Sequence, residues 1–424
     1  MYWPEKHCTV ALDPHHATIS RIDTRDARFT LRPGEGSDAV HTEPVYAFSV
    51  ARLHTDGPHA GTGLTFTLGA GNDLVCRAIE YLGEKILGRE IEDLMASFGQ
   101  AWHGLAEDQH LRWLGPHKGV VHLALAALSN ACFDLWAKAR GVPLWRLLLD
   151  LEPRQVAALC DFSYVDDELT SADAVRLLGV QQAGRADRMG VIEAGYPGYD
   201  TSVGWFTYPD DQIVENAKRA LDSGFTALKL KVGSKDTARD VRRTHLVREA
   251  VGPDVRLMVD ANQQWTLPVA REVCARLAGA NLYWVEEPTH PDDVAAHRVL
   301  AQQVAPTHIA LGEHVPNRVV FKNFMQSGAV GIVQVDALRV GGVGEFLTVS
   351  LLARKFGLPV VPHVGDMGQL HQHLVLFNHI ALGHEKLFLE SIPHLAERFV
   401  HPAEVRDGAY HTPHHPGTSC DLKE

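Results

Sequence analysis

Eight ionisable side chains share one setting in this chain. Lys229, Lys231, Asp260, Glu286, Glu313, Asp336, His363 and Glu390 each stand at the C-terminal end of a short apolar, β-branched run. From Lys231 onward the steps between them are 29, 26, 27, 23, 27 and 27 residues. Asp260, Glu286 and Glu313 put carboxylates at the ends of three successive runs. Three anions packed together without a cation repel and raise one another's pKa values. Hard oxygen ligands from neighbouring positions instead suit Mg²⁺, which keeps other coordination positions for water or substrate. The competing reading is a set of solvated loop carboxylates or helix caps. Glu287 competes with Glu286 as a ligand, and the alternation that groups Glu286 with Trp284 does not choose between them.

Lys229 and Lys231 lie two apart on one run, so both face the same side while Leu228, Leu230 and Val232 face the other. Two ammonium groups held together are expected to lower each other's pKa and free one amine as a base. Asp336 beside His363 would fix the imidazole tautomer and raise its basicity, giving a general acid/base pair. Glu390 reads equally as a hydrogen-bonding partner of a developing oxyanion or as a plain rim carboxylate. A lysine facing a His–Asp pair across a metal is the equipment for removing the proton α to a carboxylate. Reprotonation of the carbon would then give racemisation; departure of a β-hydroxyl would give dehydration.

The elements that must position these groups follow from the same rhythm. Eight runs (157–165, 227–232, 256–262, 283–288, 308–313, 332–336, 359–364 and 388–391) alternate with helical stretches at a spacing fit for parallel strands and their crossovers. The reading is an α/β fold, a (β/α)₈-type barrel whose strand C-termini converge on one face. A doubly wound sheet is the alternative, but the glycine-rich nucleotide turn that fold carries is missing from the sequence. The interval 165–227, rich in aromatic residues and glycine, reads as an insertion near the barrel mouth. Upstream, strands are expected at 17–29, 45–53 and 63–68 with a glycine-rich loop at 34–38. Helices are expected at 72–87, 91–105, 120–140 and 144–149. The predicted organisation is an N-terminal α+β capping domain (1–153), a catalytic barrel (154–391) and a C-terminal segment (392–424) returning to the cap.

Composition narrows the partners. The 424 residues carry 40 Lys+Arg against 52 Asp+Glu, a formal charge of −12, and no basic run, which argues against a nucleic-acid partner. An anionic substrate must therefore be held by a metal or by a few lysines. No uninterrupted apolar run approaches about 18 residues, so no membrane span is expected. Residues 1–13 lack the apolar core of a secretory signal. Six scattered cysteines without a CxxC pair read as buried thiols in a reducing compartment, and the cytoplasm is the expected location. Assembly as a homo-oligomer is expected.

The motifs Lys229-Leu230-Lys231, Asp260-Ala261-Asn262-Gln263, Trp284-Val285-Glu286-Glu287-Pro288, Gly312-Glu313, Gln334-Val335-Asp336 and Pro362-His363 together resemble the enolase superfamily, mandelate racemase branch. Segments 63–69, 111–122, 134–138, 195–197, 287–293 and 317–322 look most like the L-fuconate dehydratases. That resemblance implies Asp260, Glu286 and Glu313 as Mg²⁺ ligands and Lys231 as the base. It further implies His363, oriented by Asp336, as the acid assisting the 3-hydroxyl, and Glu390 at the enolic oxygen. An acid-sugar substrate would meet Asn262, Lys229, Glu390 and Asp366, with the loop 37–46 at its distal end, and leave as a 2-keto-3-deoxy acid. One departure stands out. The family's longer loop after the catalytic histidine, glycine-rich with a glutamate, is here a shorter one carrying Asp366 and Met367 and leading to His371 and His373, a change able to alter the accepted sugar.

Overall fold

A computed structural model describes residues 16–115, 117–365 and 368–424. Asp366 and Cys8, both singled out in the sequence, lie outside the described residues. The N-terminal layer is an antiparallel meander of β1 (Ile19–Thr30), β2 (Val45–Thr55) and β3 (Ala60–Thr67), in that spatial order. Against β3 lies the 21-residue helix Gly119–Ala139. The approach is close enough to require glycine: a Cβ on Gly63 would sit 1.9 Å from the Ala127 carbonyl oxygen and 2.3 Å from the Ala131 nitrogen. This helix corrects the expectation that no segment nears membrane-spanning length. By length and composition it could cross a bilayer, yet 89% of its most apolar window is buried inside the protein. A helix enclosed in this way is a core helix, its few polar side chains, among them His122, Asn130 and Asp134, taken up by hydrogen bonds and ion pairs. The single helix expected at 91–105 is two, Ile91–Met95 and Phe98–Ala106, because Ser97 leaves helical geometry between them.

The barrel staves are β4 (Tyr196–Gly204), β5 (Ala227–Lys231), β6 (Arg256–Asp260), β7 (Trp284–Glu286), β8 (His308–Leu311), β9 (Ile332–Val333) and β10 (Leu389–Ser391). They pair in parallel in chain order from β4 to β9, and β10 returns to pair with β4. Between β9 and β10 the seventh stave is reduced to one bridge, Val333 to Val360. Tyr199, Met258, Trp284, Ile332 and Phe388 fill the barrel interior, with Tyr199 and Trp284 edge to face at 5.4 Å.

Two expectations fail at the first stave. The run 157–165 is not a strand. Pro153 at the first helical position and the reciprocal Glu152–Gln155 capping box start a helix, Pro153–Ala158, and the chain then turns. The first stave instead lies within 165–227, where Pro197 and two glycines, Gly198 and Gly204, obscure the strand signal. The stretch before it is largely helical, including Ser171–Gln181. The C-terminal segment touches both layers. Residues Val405–Arg406 and Ala409–Tyr410 form a hairpin whose second strand pairs with β4. Farther on, Thr418 donates to Asp134 at 2.7 Å, and Asp421 meets Lys138 at 2.6 Å on the cap helix. The described cysteines, Cys76, Cys132, Cys160, Cys274 and Cys420, are all buried free thiols.

Candidate active site

Parallel register sets the first half of the site. Lys231 is the ladder partner of Asp260, and Asp260 of Glu286, so three staves deliver their polar tips side by side. Lys229 and Lys231 are only 1% and 6% exposed. Lys229 Nζ lies 2.7 Å from Glu286 Oε1 and 2.8 Å from Glu390 Oε1; Lys231 Nζ lies 2.5 Å from Asp260 Oδ2. Their mutual repulsion does not decide their protonation. Burial works to lower both pKa values, but Glu286 and Glu390 around Lys229, and Asp260 beside Lys231, outweigh it and hold both ammoniums above the ordinary lysine value. This overturns the expected lowering: each lysine has a carboxylate closer than the other lysine's influence can offset.

Glu286 faces the barrel interior. Its Oε2 accepts from Gln334 Nε2 at 2.8 Å and from Trp284 Nε1 at 3.0 Å. Burial, reinforced by the nearby Asp260 and Glu390 charges, pushes its carboxyl up to about 8 despite Lys229. Glu287, one residue past the strand at φ 40°, turns aside to Gln263 and His314. Glu313 follows Gly312, where a Cβ would come within 2.3 Å of the Gln334 backbone; only glycine lets staves five and six meet there. Glu313 lies 2.8 Å from His363 Nε2 and 3.2 Å from His314 Nδ1.

The opposite side carries the histidine pair. His363 Nδ1 is 2.9 Å from Asp336 Oδ2. Burial opposes its charge, but Glu313 and Asp336 more than compensate and hold the imidazole well above its ordinary value. Burial would raise Asp336, yet the hydrogen bond with His363 keeps it below the usual carboxylate range. Glu390 accepts from Thr201 at 2.5 Å, and its Oε2 is buried without a partner among the described residues.

Cap and barrel enclose a cavity of about 360 Å³ over this set. Asp38, His41 and Tyr46 come from the cap; Lys231, Asn262, Glu313, His314 and His363 come from the barrel. A larger hollow of about 590 Å³, lined by Arg32, Asp200 and His394 among others, contains none of the eight tip residues. The donor set fits a hard divalent cation. Buried carboxylates converge from adjacent staves, and Asn262 Oδ1 is buried with no partner among the described residues. Among the described residues, the grouping whose ligand atoms all lie within 4.8 Å of one another is Glu287, Glu313 and His314, which includes Glu313 of the expected trio but not Asp260 or Glu286. Sequence reasoning passed over His314, whose imidazole is pulled up to about 10 by Glu287 and Glu313 against the effect of burial. It also missed Arg339, which lines the cavity three residues past Asp336. Nothing in either residue's local pattern signals a site.

The class these features define is that of a capped (β/α) barrel with buried carboxylates, lysines and a His–Asp pair gathered at the C-terminal ends of its strands. Residues 212–424 match the family model described as enolase C-terminal domain-like. The chain belongs to the enolase superfamily. It is 41% identical over 416 residues to mitochondrial enolase superfamily member 1 of Homo sapiens, covering 96% of this chain and 94% of the relative. The solved human structure superposes with a TM-score of 0.93 at 40% identity, covering 97% of this chain and 95% of that one. L-galactonate dehydratase of Hypocrea jecorina is 40% identical over 96% of this chain and 92% of its own length. L-talarate dehydratase from Polaromonas sp. JS666, crystallised with Mg and L-glucarate, matches at TM-score 0.73 and 28% identity, over 96% of this chain and 95% of that chain.

Proposed function

We propose that this protein is a Mg²⁺-dependent acid-sugar dehydratase, acting on L-fuconate or a related aldonate and releasing a 2-keto-3-deoxy acid. The observation that carries the reading is one cavity lined by Lys231 from one flank and His363 from the other, with Glu313 and Asn262 also in its wall. The similarity to an L-galactonate dehydratase along nearly the whole chain supports a monoacid sugar.

Asp260, Glu286 and Glu313 would hold the metal. Mg²⁺, when bound there, neutralises charge that builds on the substrate carboxylate. Lys231 is the base. With the charge of Asp260 committed to a ligand, burial and the neighbouring Lys229 ammonium both favour its free amine, which takes the α-proton. His363 enters protonated, kept so by Glu313 and Asp336, and gives its proton to the 3-hydroxyl as the C–O bond breaks. The electron pair left at the α-carbon forms the new C=C bond, and the resulting enol tautomerises to the ketone. Lys229 bridges Glu286 and Glu390 and orients both carboxylates at the strand ends. Asp38, His41 and Tyr46 contact the distal hydroxyls.

The test is incubation with Mg²⁺ and a panel of mono- and diacid sugars, reading 2-keto product with semicarbazide and α-proton exchange in D₂O. Ketone from an aldonate is the expected result. Exchange or epimerisation without ketone from any acid sugar overturns the reading.

A further inference from the structure

Beyond His363 the chain enters the helix Leu370–Leu382, and the first turn of that helix reaches back to the His363–Asp336 pair. His371 is buried between two backbone groups. Its Nδ1 donates to the Val364 carbonyl at 2.7 Å, and its Nε2 accepts from the Ala337 amide at 2.8 Å. Val364 directly follows His363, and Ala337 directly follows Asp336. Donating from one nitrogen while accepting at the other is possible only for the neutral Nδ1–H tautomer. In that form Nε2, 3.2 Å from Asp336 Oδ1, has no proton for the carboxylate. Asp336 Oδ1 accepts instead from the Leu338 amide at 2.7 Å. The imidazole is thus a backbone clamp between staves six and seven, not a third member of a relay. Gln372 extends the grip by donating to the Gly365 carbonyl at 3.1 Å.

We propose that His371 is a positioning residue for the acid half of the reaction: it fixes the two strand ends so that Asp336 Oδ2 meets His363 Nδ1. The seventh stave needs such a device because, among the described residues, its pairing is one bridge, Val333–Val360, with a single backbone hydrogen bond from Gly365 to Glu390 on its other side, whereas Lys231 sits on a five-residue paired strand. No atom of His371 is assigned to the substrate. The kinetic consequence rests on the dehydratase reading above; the geometric one does not.

The experiment compares His371→Leu with His371→Gln, whose carboxamide can still accept from Ala337 and donate to Val364. In His371→Leu, dehydration is expected to fall about 10- to 100-fold, the usual cost of losing a residue that orients a site. Lys231-dependent α-proton exchange in D₂O stays within about 3-fold, since its flank is untouched. His371→Gln recovers most of the loss. A second readout, proton NMR of the substrate-free enzyme, follows the His363 Nδ1–H resonance hydrogen-bonded to Asp336: it should weaken or move in the leucine variant and return in the glutamine variant. Equal loss of exchange and dehydration, or an unchanged His363 resonance in His371→Leu, overturns the proposal. A wild-type enzyme that dehydrates no acid sugar would defeat the functional reading while leaving the NMR comparison decisive for the clamp.

Discussion

The two flanks of the cavity are built on different principles. Lys229, Lys231, Asp260 and Glu286 belong to paired strands, and their tips meet because the ladder register places them side by side. Asp336 and His363 stand beyond a two-residue strand and a single bridge, and are held from outside by His371, by backbone amides and by the cap. A ladder fixes many dihedrals at once and resists point changes; a clamp of a few hydrogen bonds fails when one is lost. The lysine flank should therefore tolerate change in its surroundings, and the histidine flank should not.

The sharpest way to break the contrast is to remove the groups themselves. Lys231→Ala should abolish both α-proton exchange and dehydration, each by about 10²- to 10⁴-fold or more, the range ascribed to a positioned acid or base. His363→Asn should cost dehydration a comparable factor while sparing exchange at the lysine. Deuterium wash-in and semicarbazide assays on the same samples separate the two. Dehydration surviving in either variant would remove that residue from the mechanism.

The metal site comes next, because two of its proposed ligands, Asp260 and Glu286, stand on the lysine flank while the third, Glu313, pairs with His363. Glu286→Gln and Glu287→Gln should differ: the first is expected to weaken Mg²⁺ binding about 10- to 100-fold. The second should leave affinity within a few-fold, acting only through Gln263 and His314. Isothermal titration with Mg²⁺ on both variants checks this. The reverse order would move the metal toward the Glu287, Glu313 and His314 grouping.

This contrast also marks what the sequence could reveal. Strand alternation and regular spacing exposed Lys229, Lys231 and Asp260, because one residue's direction on a ladder fixes its neighbours'. The same logic failed at the first stave. An apolar run at 157–165 belongs partly to a helix whose start lies in its capping box, while Pro197 and the glycines of β4 hide a true strand. Glu286 and Glu287 could not be separated, since Glu287 leaves the strand at positive φ and alternation ends there. His371 was legible only as one of two histidines closing an altered loop, with no sign of what it holds. Its partners are the backbone of Ala337 and of Val364, and backbone groups leave no mark in a sequence. His373, two residues on, accepts from the Trp145 amide instead.

Two ionic ties between cap and barrel offer the gentlest probes. Glu345, beyond β9, accepts from the Gly341 amide at 2.7 Å and so steadies the chain leaving Asp336; it also pairs with Arg318 at 3.1 Å and with cap residue His122 at 2.6 Å, all buried. Burial would raise its carboxyl, but His122 and Arg318 hold it well below the ordinary value. A folded-state pKa below the unfolded one adds stability at pH above the unfolded value, and that stability drains away as pH falls through it. Glu345→Gln should cost about 1.5–3 kcal/mol at pH 7, the worth of hydrogen bonds to a buried charge. The difference from wild type should shrink as urea midpoints are followed from pH 6 toward pH 3. Dehydration should suffer more than exchange, since the strain falls on the histidine flank. Lys118 and Asp292 make the other tie, at 2.6 Å but with side chains 59% and 46% exposed. Solvent screens such a pair, so Lys118→Ala should shift stability by less than about 0.5 kcal/mol and leave both reactions alone. A large effect there would mean that the rim, and not the buried joint, holds the cap over the histidines.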